Sequence, residues 1–168
     1  MTDQISEKIS ETLRQVRTVK DQIMMWEAGT ILEGSLFRRD GEATNKILAS
    51  NLSERLYQVV QKILADVGLA DKEKLKDYLI GLKEGLQNMR VVRFEVMFDP
   101  DEDLIAQMAA WISRELGENI VINFKLNPSI VGGAIIISEG EYFDFTLSTI
   151  LERNFERSWA EVSKNYSL

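Results

Sequence analysis

The stretch that most constrains the fold is residues 127–153, which read NPSIVGGAIIISEGEYFDFTLSTILER. Pro128 fixes its own φ and disfavours helix at the residue before it, so a preceding strand must end here. The glycine pair Gly132–Gly133 permits a bulge or a close backbone approach. The apolar run at residues 134–137 then predicts a strand in the middle of a sheet. This pattern is typical of the closing half of a small α/β domain.

A hairpin and a terminal helix complete the stretch. Glu139-Gly140-Glu141 predicts a hairpin turn, with residues 142–145 as the returning strand. The terminal helix is predicted from apolar residues at helical spacing, namely Leu147, Ile150, Leu151, Phe155, Trp159 and Val162. The glycine pair does not fit a phosphate loop, because no Gly-x-x-x-x-Gly-Lys-Ser/Thr pattern is present and a strand follows it.

The preceding segment predicts a strand, a helix and a second strand. Apolar residues alternate with polar ones over 92–98, as in a half-buried strand. Asp99 fits a helix N-cap followed by Pro100, and we interpret the acidic cluster there as a cap and not as a cation site. The helix ends at Gly117 and strand 120–126 follows. The residues expected to face inward are Leu104, Ile105, Met108, Ala109, Ile112 and Leu116 in the helix, and Ile120, Ile122, Phe124 and Leu126 in the strand.

Three helices are predicted before the first strand, over residues 5–26, 42–67 and 71–88, with Gly68 and Asp71 as cap residues. Glycines at 81 and 85 weaken the third helix by up to about 1 kcal/mol each, unless a close neighbour needs the space. The first helix carries one apolar stripe, formed by Ile5, Ile9, Leu13, Val16, Ile23 and Trp26. One helix cannot cover its own apolar face, so this stripe either packs inside the chain or docks on a partner.

The sequence therefore predicts an α+β protein with two parts. Residues 1–89 form an all-helical region with an amphipathic N-terminal helix. Residues 90–168 form a small α/β domain in the order strand-helix-strand-strand-strand-helix.

Composition excludes several classes of function. The 168 residues include no cysteine and no histidine, which excludes disulfides, Cys/His zinc sites and His-dependent catalytic triads. The formal net charge of −7, without a strongly basic segment, argues against nucleic acid binding. The polar N-terminal segment does not resemble a signal peptide, and no apolar run approaches the ~20 residues that span a bilayer. We expect no cofactor, no metal, no nucleic acid partner, no direct membrane insertion and a cytoplasmic location.

A small enzyme that uses only carboxylates is the catalytic alternative. Its acid and base would come from Asp99, Asp101, Glu139, Glu141 and Asp144. Turns and helix starts already account for most of these residues, so we expect a non-catalytic protein.

The closing stretch resembles the C-terminal region of the delta subunit of rotary ATP synthases, a family that includes the mitochondrial oligomycin-sensitivity-conferring protein. In the family, aspartate-proline-serine-leucine-isoleucine-glycine-glycine precedes a strand, and aspartate-glycine-serine precedes a terminal helix that ends in leucine and arginine. Asn127, Phe145 and Thr146 stand in place of the family's acidic residue, glycine and serine. The matching residues are Pro128, Ser129, Gly132, Gly133, Asp144, Leu151 and Arg153.

The resemblance implies a non-catalytic peripheral-stalk (stator) subunit, which links the catalytic head to the membrane-anchored stator and resists torque. The implied partners are the alpha and beta subunits of the head and a b-type stalk subunit, in a hetero-oligomeric complex peripheral to the inner or plasma membrane. The motif residues are expected to shape the backbone. Partner contacts are expected at Ile5, Ile9, Leu13, Val16, Ile23 and Trp26 of the first helix, and at Trp111 and Trp159 of the α/β domain.

The N-terminal half departs from the family pattern. The family's N-terminal domain is a six-helix bundle that grips the alpha subunits, whereas three helices are predicted here. A long N-terminal helix before a small α/β domain also resembles the E-type peripheral-stalk chain of vacuolar and archaeal rotary ATPases. An adaptor of a related secretion ATPase is a further alternative.

Overall fold

A computed structural model describes residues 2–36, 41–67 and 72–165, with side chains over 5–36, 43–65 and 72–156. The helices are α1 Thr2–Leu13, α2 Val19–Ser35, α3 Gly41–Asn51, α4 Glu54–Val67, α5 Lys72–Gln87, α6 Glu102–Leu116 and α7 Leu147–Asn165. The strands are β1 Arg90–Val96, β2 Ile120–Leu126, β3 Gly133–Ser138 and β4 Glu141–Thr146. This order confirms the α+β class and the predicted sequence of elements from β1 onward.

The first predicted helix is in fact two helices, α1 and α2, joined by residues 14–18, here called the connector. Thr18 Oγ1 accepts the N–H of Asp21, and the Asp21 carboxylate accepts the N–H of Thr18. This reciprocal capping box starts a new helix. The same carboxylate accepts the N–H of Arg17 at 3.0 Å and Arg55 Nη2 at 2.8 Å. The prediction of one helix over residues 5–26 is therefore wrong.

The second predicted helix is also divided, because α3 ends before Leu52 and α4 starts after Ser53. The Ser53 carbonyl accepts the N–H of Tyr57 at 2.8 Å, which is the first bond of the new helix. The described residues thus contain five helices before β1, where three were predicted. The predicted caps at Gly68 and Asp71 lie outside the described residues.

Helix α5 is the third predicted helix and forms the centre of the helical core. Its stripe of Leu75, Leu79, Leu82 and Leu86 is buried as expected. Tyr78 on the same helix is fully buried, and its hydroxyl lies 2.7 Å from Thr12 Oγ1 of α1. Burial raises the pKa of Tyr78 to about 12, so this side chain is neutral and remains a hydrogen-bonding group across the physiological range.

Two glycines of α5 allow α1 to approach closely. A Cβ at Gly81 would lie 2.6 Å from Ile9 Cδ1, and a Cβ at Gly85 would lie 2.5 Å from Leu13 Cδ1. Both distances are shorter than real carbon–carbon contacts, so the space that a glycine leaves is already occupied. Helix α1 is therefore the close neighbour that requires glycine at these two positions of α5.

The sheet has the strand order β2-β1-β3-β4. Strands β1 and β2 are parallel, and β3 is antiparallel to both β1 and β4. The predicted position of β3 inside the sheet is confirmed. The loop residues Glu139 and Gly140 have φ values of 52° and 84°, the two positive values of a type I′ hairpin turn. The predicted hairpin is therefore also confirmed.

Helix α6 begins two residues later than predicted. Asp101 Oδ1 accepts the N–H of Leu104 at 2.8 Å, so Asp101 is the N-cap, whereas Asp99 and Pro100 precede it. The predicted end at Gly117 is confirmed by its φ of 96°. The buried cluster under α6 comprises Ile112 with Val92, Phe94, Val96 and Ile122 of the sheet.

Three residues that the apolar pattern placed in the interior are exposed. Phe98 is 52% exposed, Leu116 44% and Leu126 56%. Phe98 lies beyond the end of β1, and the other two are the last residues of α6 and β2. The neighbouring elements do not reach these ends, so the apolar pattern continues past the buried part of each element.

Strand β2 is buried on both faces. Ile122 is 1% exposed and belongs to the cluster under α6, whereas Val121 is 0% exposed and packs into the helical core. Successive strand residues point to opposite faces of a sheet, so the helical region and α6 cover opposite faces at this strand. Of these two residues only Ile122 was expected to face inward, so the burial of Val121 was not predicted.

Asn127 closes the turn after β2. Its Nδ2 donates to Glu95 Oε2 at 2.9 Å, and its Oδ1 accepts the N–H of Ser129 at 3.1 Å. Lys125 Nζ contacts the other Glu95 oxygen at 3.1 Å. The Asn127 amide first, and Lys125 second, hold the pKa of Glu95 below its ordinary value. The amide therefore donates a hydrogen bond to Glu95 that an ionised carboxylate at position 127 could not donate.

We expect Gly85→Ala to destabilise the protein by about 1 kcal/mol or more, because the clash with Leu13 outweighs alanine's helix propensity. Gly34→Ala is the matched control, since a Cβ there meets nothing within 4 Å. The control should stabilise by up to about 1 kcal/mol. Urea unfolding of the two variants measures both effects, and stabilisation by Gly85→Ala would show that the α1–α5 contact is looser than described.

We expect Asn127→Asp to destabilise the protein in a pH-dependent way. Because the pKa of Glu95 is lowered in the folded state, its contribution is present above the ordinary carboxyl pKa and is lost as pH falls through the lowered value. The introduced carboxylate would instead repel Glu95 when both groups are ionised. The free energy of unfolding of the variant should lie well below that of the unsubstituted chain at neutral pH, and the difference should shrink as pH falls below about 4. Asn88→Asp, at an exposed turn, is the control. In the same urea titrations, its difference in unfolding free energy from the unsubstituted chain should not shrink in this way.

Candidate interaction surface

Helix α6 covers only part of one sheet face. The buried cluster beneath it involves β1 and β2, with Ala134 and Ile136 of β3 at its margin. On the same face, β4 carries Phe143 and Phe145, which are 42% and 50% exposed. Their rings lie 6.4 Å apart at an interplanar angle of 13°. The outer half of the sheet therefore presents a pair of stacked aromatic rings with no covering element among the described residues.

An open groove of about 660 Å³ lies between α6 and the β3–β4 hairpin. Trp111, 43% exposed, stands on the α6 side, and Phe143 and Phe145 stand on the hairpin side. The other apolar lining residues are Val91, Val92, Phe94, Leu116, Ile120 and Ile136. Arg90 and Glu139 close one end through an ion pair of 3.0 Å. The groove is thus apolar along its length and charged at its end.

Helix α7 does not cover this groove. It begins directly after β4, and the N–H of Leu147 donates to the Gly132 carbonyl oxygen at 2.8 Å. Its described apolar side chains are exposed, with Leu147 at 46%, Ile150 at 43%, Leu151 at 46% and Phe155 at 72%. The α/β domain consequently presents two apolar surfaces, the groove and the first turns of α7.

The start of α7 is fixed by polar contacts. The Asp144 Oδ1 accepts the N–H of Thr146 at 2.8 Å, and Thr146 Oγ1 lies 3.4 Å from the backbone nitrogen of Thr149. Hydrogen bonding from Thr146 lowers the pKa of Asp144, with smaller contributions from Thr149 and from the charge of Arg153. Asp144 is therefore an ionised structural group and not a poised proton donor.

Within the glycine pair, Gly133 is the residue that lies in close contact with a neighbouring backbone. Gly133 has a φ of 81°, and a Cβ there would collide with the carbonyl oxygen of Phe145. A Cβ at Gly132 would meet Leu147 Cβ at 3.6 Å, an ordinary contact. Gly133 is thus the residue that allows β3 and β4 to close at this end. Of the other motif residues, Ser129 takes part in the Asn127 turn, Pro128 is exposed, and Leu151 and Arg153 are exposed on α7.

Four residues expected to contact a partner instead pack inside the chain. Leu13 and Val16 are 7% and 3% exposed in the helical core, and Ile5 and Ile9 are half-buried against it. The first stripe is therefore core packing over α1 and the connector, which is the first of its two alternatives, and not the docking surface that the partner prediction expected. The break before Val19 explains the difference, since α1 turns its stripe towards α5 and not along one long helix.

The remaining expected contact residues are placed differently. Ile23 is 54% exposed on α2, and Trp26 is half-buried with Lys83 Nζ 5.6 Å from its ring centroid. Trp111 is exposed in the groove, so the structure presents Ile23 and Trp111 on the surface. The side chain of Trp159 lies outside the described ones.

Sequence reasoning missed the aromatic side of the groove. Phe143 and Phe145 were assigned only to the returning strand, although their spacing of two residues places them on one face. That spacing was the available signal. It does not reveal exposure, because the same pattern marks a buried strand face.

Two kinds of site are absent from the residues that the structure describes. No three carboxylates in these ranges are grouped in a way that could hold a metal ion. No helix in them is both long enough and apolar enough to cross a membrane.

Comparisons with known proteins agree with the closing motif and extend beyond it. The family model described as ATP synthase delta (OSCP) subunit matches residues 2–156. The chain is 23% identical over 118 residues to the ATP synthase subunit delta of Syntrophobacter fumaroxidans (strain DSM 10017 / MPOB). That alignment covers 67% of this chain and 62% of the relative, so the chain spans less than two thirds of the relative's length. Because the family model covers the helical region as well as the sheet, the chain belongs to the ATP synthase delta (OSCP) subunit family.

Proposed function

We propose that this chain is a non-catalytic peripheral-stalk subunit of a rotary ATP synthase. It would link the catalytic head, made of alpha and beta subunits, to a b-type stalk subunit, and would be peripheral to the membrane as part of the complex. The observation that carries this proposal is the open apolar groove beside an exposed helix in a member of the delta family. A stator resists torque through interface area and needs no reacting groups.

The surroundings of the carboxylates support a non-catalytic role. Asp101 caps α6, Glu139 pairs with Arg90, and Asp144 is held by Thr146. The other two candidates, Asp99 and Glu141, are exposed in or beside turns. A general acid or base usually lies in a cleft with a pKa moved towards neutrality, whereas the pKa of Asp144 is moved in the opposite direction.

The dimensions of the groove favour a helix as its occupant. Neighbouring strands lie about 4.8 Å apart, so two strands present a surface about as wide as the ~10 Å diameter of a helix. Helix α6 covers the β1–β2 half of the sheet, and the β3–β4 half is wide enough for one more helix. Trp111, Phe143 and Phe145 would be the aromatic anchors of that contact. We assign this position to a helix of the b-type stalk subunit.

The helical region would then contact the catalytic head. Among its described side chains, the large apolar ones that are exposed are Ile23 on α2, Ile47 on α3 and Ile80 on α5. These residues replace Leu13 and Val16 as the proposed contacts, because the latter two are already used inside the chain. Single apolar residues on a surface are common, so the groove remains the better supported of the two contacts.

The two alternative functions receive less support. An E-type stalk chain requires a long continuous N-terminal helix, whereas α1 ends at Leu13 and the capping box at Thr18 and Asp21 begins a second helix. The family match also covers residues 2–156 and not the last part of the chain alone. No contact or surface among the described residues favours a secretion ATPase adaptor over an ATP synthase subunit.

Replacing Trp111 with alanine tests the groove. We expect binding to a purified b-type stalk chain to weaken roughly 30-fold, since truncating an interface hot spot costs about 2 kcal/mol. Phe98→Ala is the control, because Phe98 is 52% exposed and does not line the groove. Its affinity should change by less than about threefold.

Calorimetric titration of both variants against the stalk chain distinguishes two failures. Equal affinity of the Trp111→Ala variant and the unsubstituted chain would remove the groove as the contact while leaving the stator role intact. No binding of the unsubstituted chain to either the stalk chain or the catalytic head would contradict the stator role itself.

A further inference from the structure

The helical region and the sheet meet at two places, the connector beside β2 and the short passage from α5 to β1. The connector lies beside the outer edge of β2, where the Ile122 N–H donates to the Arg17 carbonyl oxygen at 2.9 Å and Thr18 forms a parallel bridge with Ile122. The preceding residue, Val121, is fully buried in the helical core. These contacts hold the middle of β2 against the helices, and Met89, buried in the helical core, holds the start of β1. Two such places leave rotation about the line that joins them to be opposed by other contacts.

Ionic contacts also connect the two parts, at both ends of α6. Arg14 Nη2 of the connector is 3.0 Å from Oε1 of Glu118, two residues after α6 ends. At the other end, Oε2 of Glu102 faces two arginines, Arg17 Nη1 at 4.0 Å and Arg55 Nε at 3.9 Å. The helical side supplies all three arginines and the α/β domain supplies both glutamates, although the chain as a whole is acidic.

The contacts at the two ends of α6 lie far apart because the helix is long. Its 15 residues span roughly 22 Å at about 1.5 Å per residue. A cavity of about 60 Å³ separates α6 from the end of α1 and the connector, with Ala109 and Ser113 on one side and Leu13 and Val16 on the other. Apolar packing therefore does not fill this gap. The ion pairs at the two ends of α6 are contacts that span this gap.

Arg55 shows that the contact with Glu102 is not fully closed. Its Nη2 is bound to Asp21 and its Nη1 donates to the Gln15 carbonyl oxygen. Its Nε is buried without a hydrogen-bond partner, 3.9 Å from Glu102. Charge-assisted hydrogen bonds are about 2.7–2.9 Å long, so a shift of about 1 Å would complete the bond.

We propose that Glu102 and Glu118 form an ionic latch with Arg14, Arg17 and Arg55, and that this latch sets the orientation of the sheet relative to the helical region. The latch closes when Glu102 bonds Arg55 Nε. Both glutamates are more than half exposed, so dissolved ions screen them. The Debye length falls from about 8 Å at 0.15 M salt to about 3 Å at 1 M, which makes the orientation dependent on ionic strength. This inference does not depend on the stator role.

The absence of native cysteine makes a direct test straightforward. Spin labels at Ala49→Cys on α3 and Gln107→Cys on α6, both exposed positions, report the distance between the two parts by pulsed electron resonance. In the full-length chain at low salt, the paired change E102Q/E118Q should broaden the distance distribution. High salt should broaden the unsubstituted chain to the same width and leave the paired variant unchanged.

Glu11→Gln is the matched control. Glu11 is 59% exposed and pairs with Lys62 at 3.1 Å within the helical region, so its loss should leave the distribution narrow. Arg14→Glu alone should broaden the distribution, and adding Glu118→Arg should restore it by exchanging the charges. That exchange also supplies the test if E102Q/E118Q does not fold, as judged by circular dichroism. A folded E102Q/E118Q chain with an unbroadened distribution, equal broadening in the control, or no restoration by the exchange would overturn the latch.

Discussion

The carboxylate of Asp21 is the interaction on which the architecture depends. It accepts the N–H groups of Arg17 and Thr18 and the Nη2 of Arg55, although its residue is only 7% exposed. A buried carboxylate is stable only when such donors replace its lost hydration. These bonds begin α2, after the five-residue connector that follows α1, and hold the connector against α4. The connector also pairs with β2, so one side chain holds the start of α2, the connector and α4 together where the two parts of the chain meet.

The break also shows where sequence reasoning failed. Apolar residues continue at steps of three and four through Leu13, Val16 and Val19, so periodicity alone predicts one helix. The contrary signal was local, since Thr18 and Asp21 have the spacing of a capping box, with aspartate in place of the usual glutamate or glutamine. The α/β domain was predicted more accurately because its turns rely on proline and glycine, whose backbone restrictions are visible in the sequence. Ends of elements were the least accurate, as at Asp99 and Leu126, because burial there depends on how far the neighbouring element extends.

The candidate surface was predictable only in part. The sequence identified Trp111 and the apolar stripe of α7, but it could not show that the stripe stays exposed. An apolar stripe has the same sequence pattern whether it packs inside its own chain or against another protein. The exposure of the α7 stripe follows from two features: α7 begins directly after β4, and the Leu147 N–H is bonded to the Gly132 carbonyl oxygen. Those contacts direct the helix away from the groove. The stripe of α1 shows the reverse case, since the sequence left open whether it docks on a partner or packs inside, and it packs against α5.

The type I′ turn at Glu139 and Gly140 has a consequence for the order of folding. The β3–β4 hairpin joins residues that are close in the chain, and such hairpins form within microseconds. Strand β1 pairs with β2 and β3, both distant in sequence, and its parallel pairing with β2 requires α6 to form the crossover. Closing these longer loops costs more entropy before any contact compensates for it. We therefore expect the β3–β4 hairpin to form early and β1 to pair with it late. The backbone conformation of the two turn residues would then set the register of half the sheet.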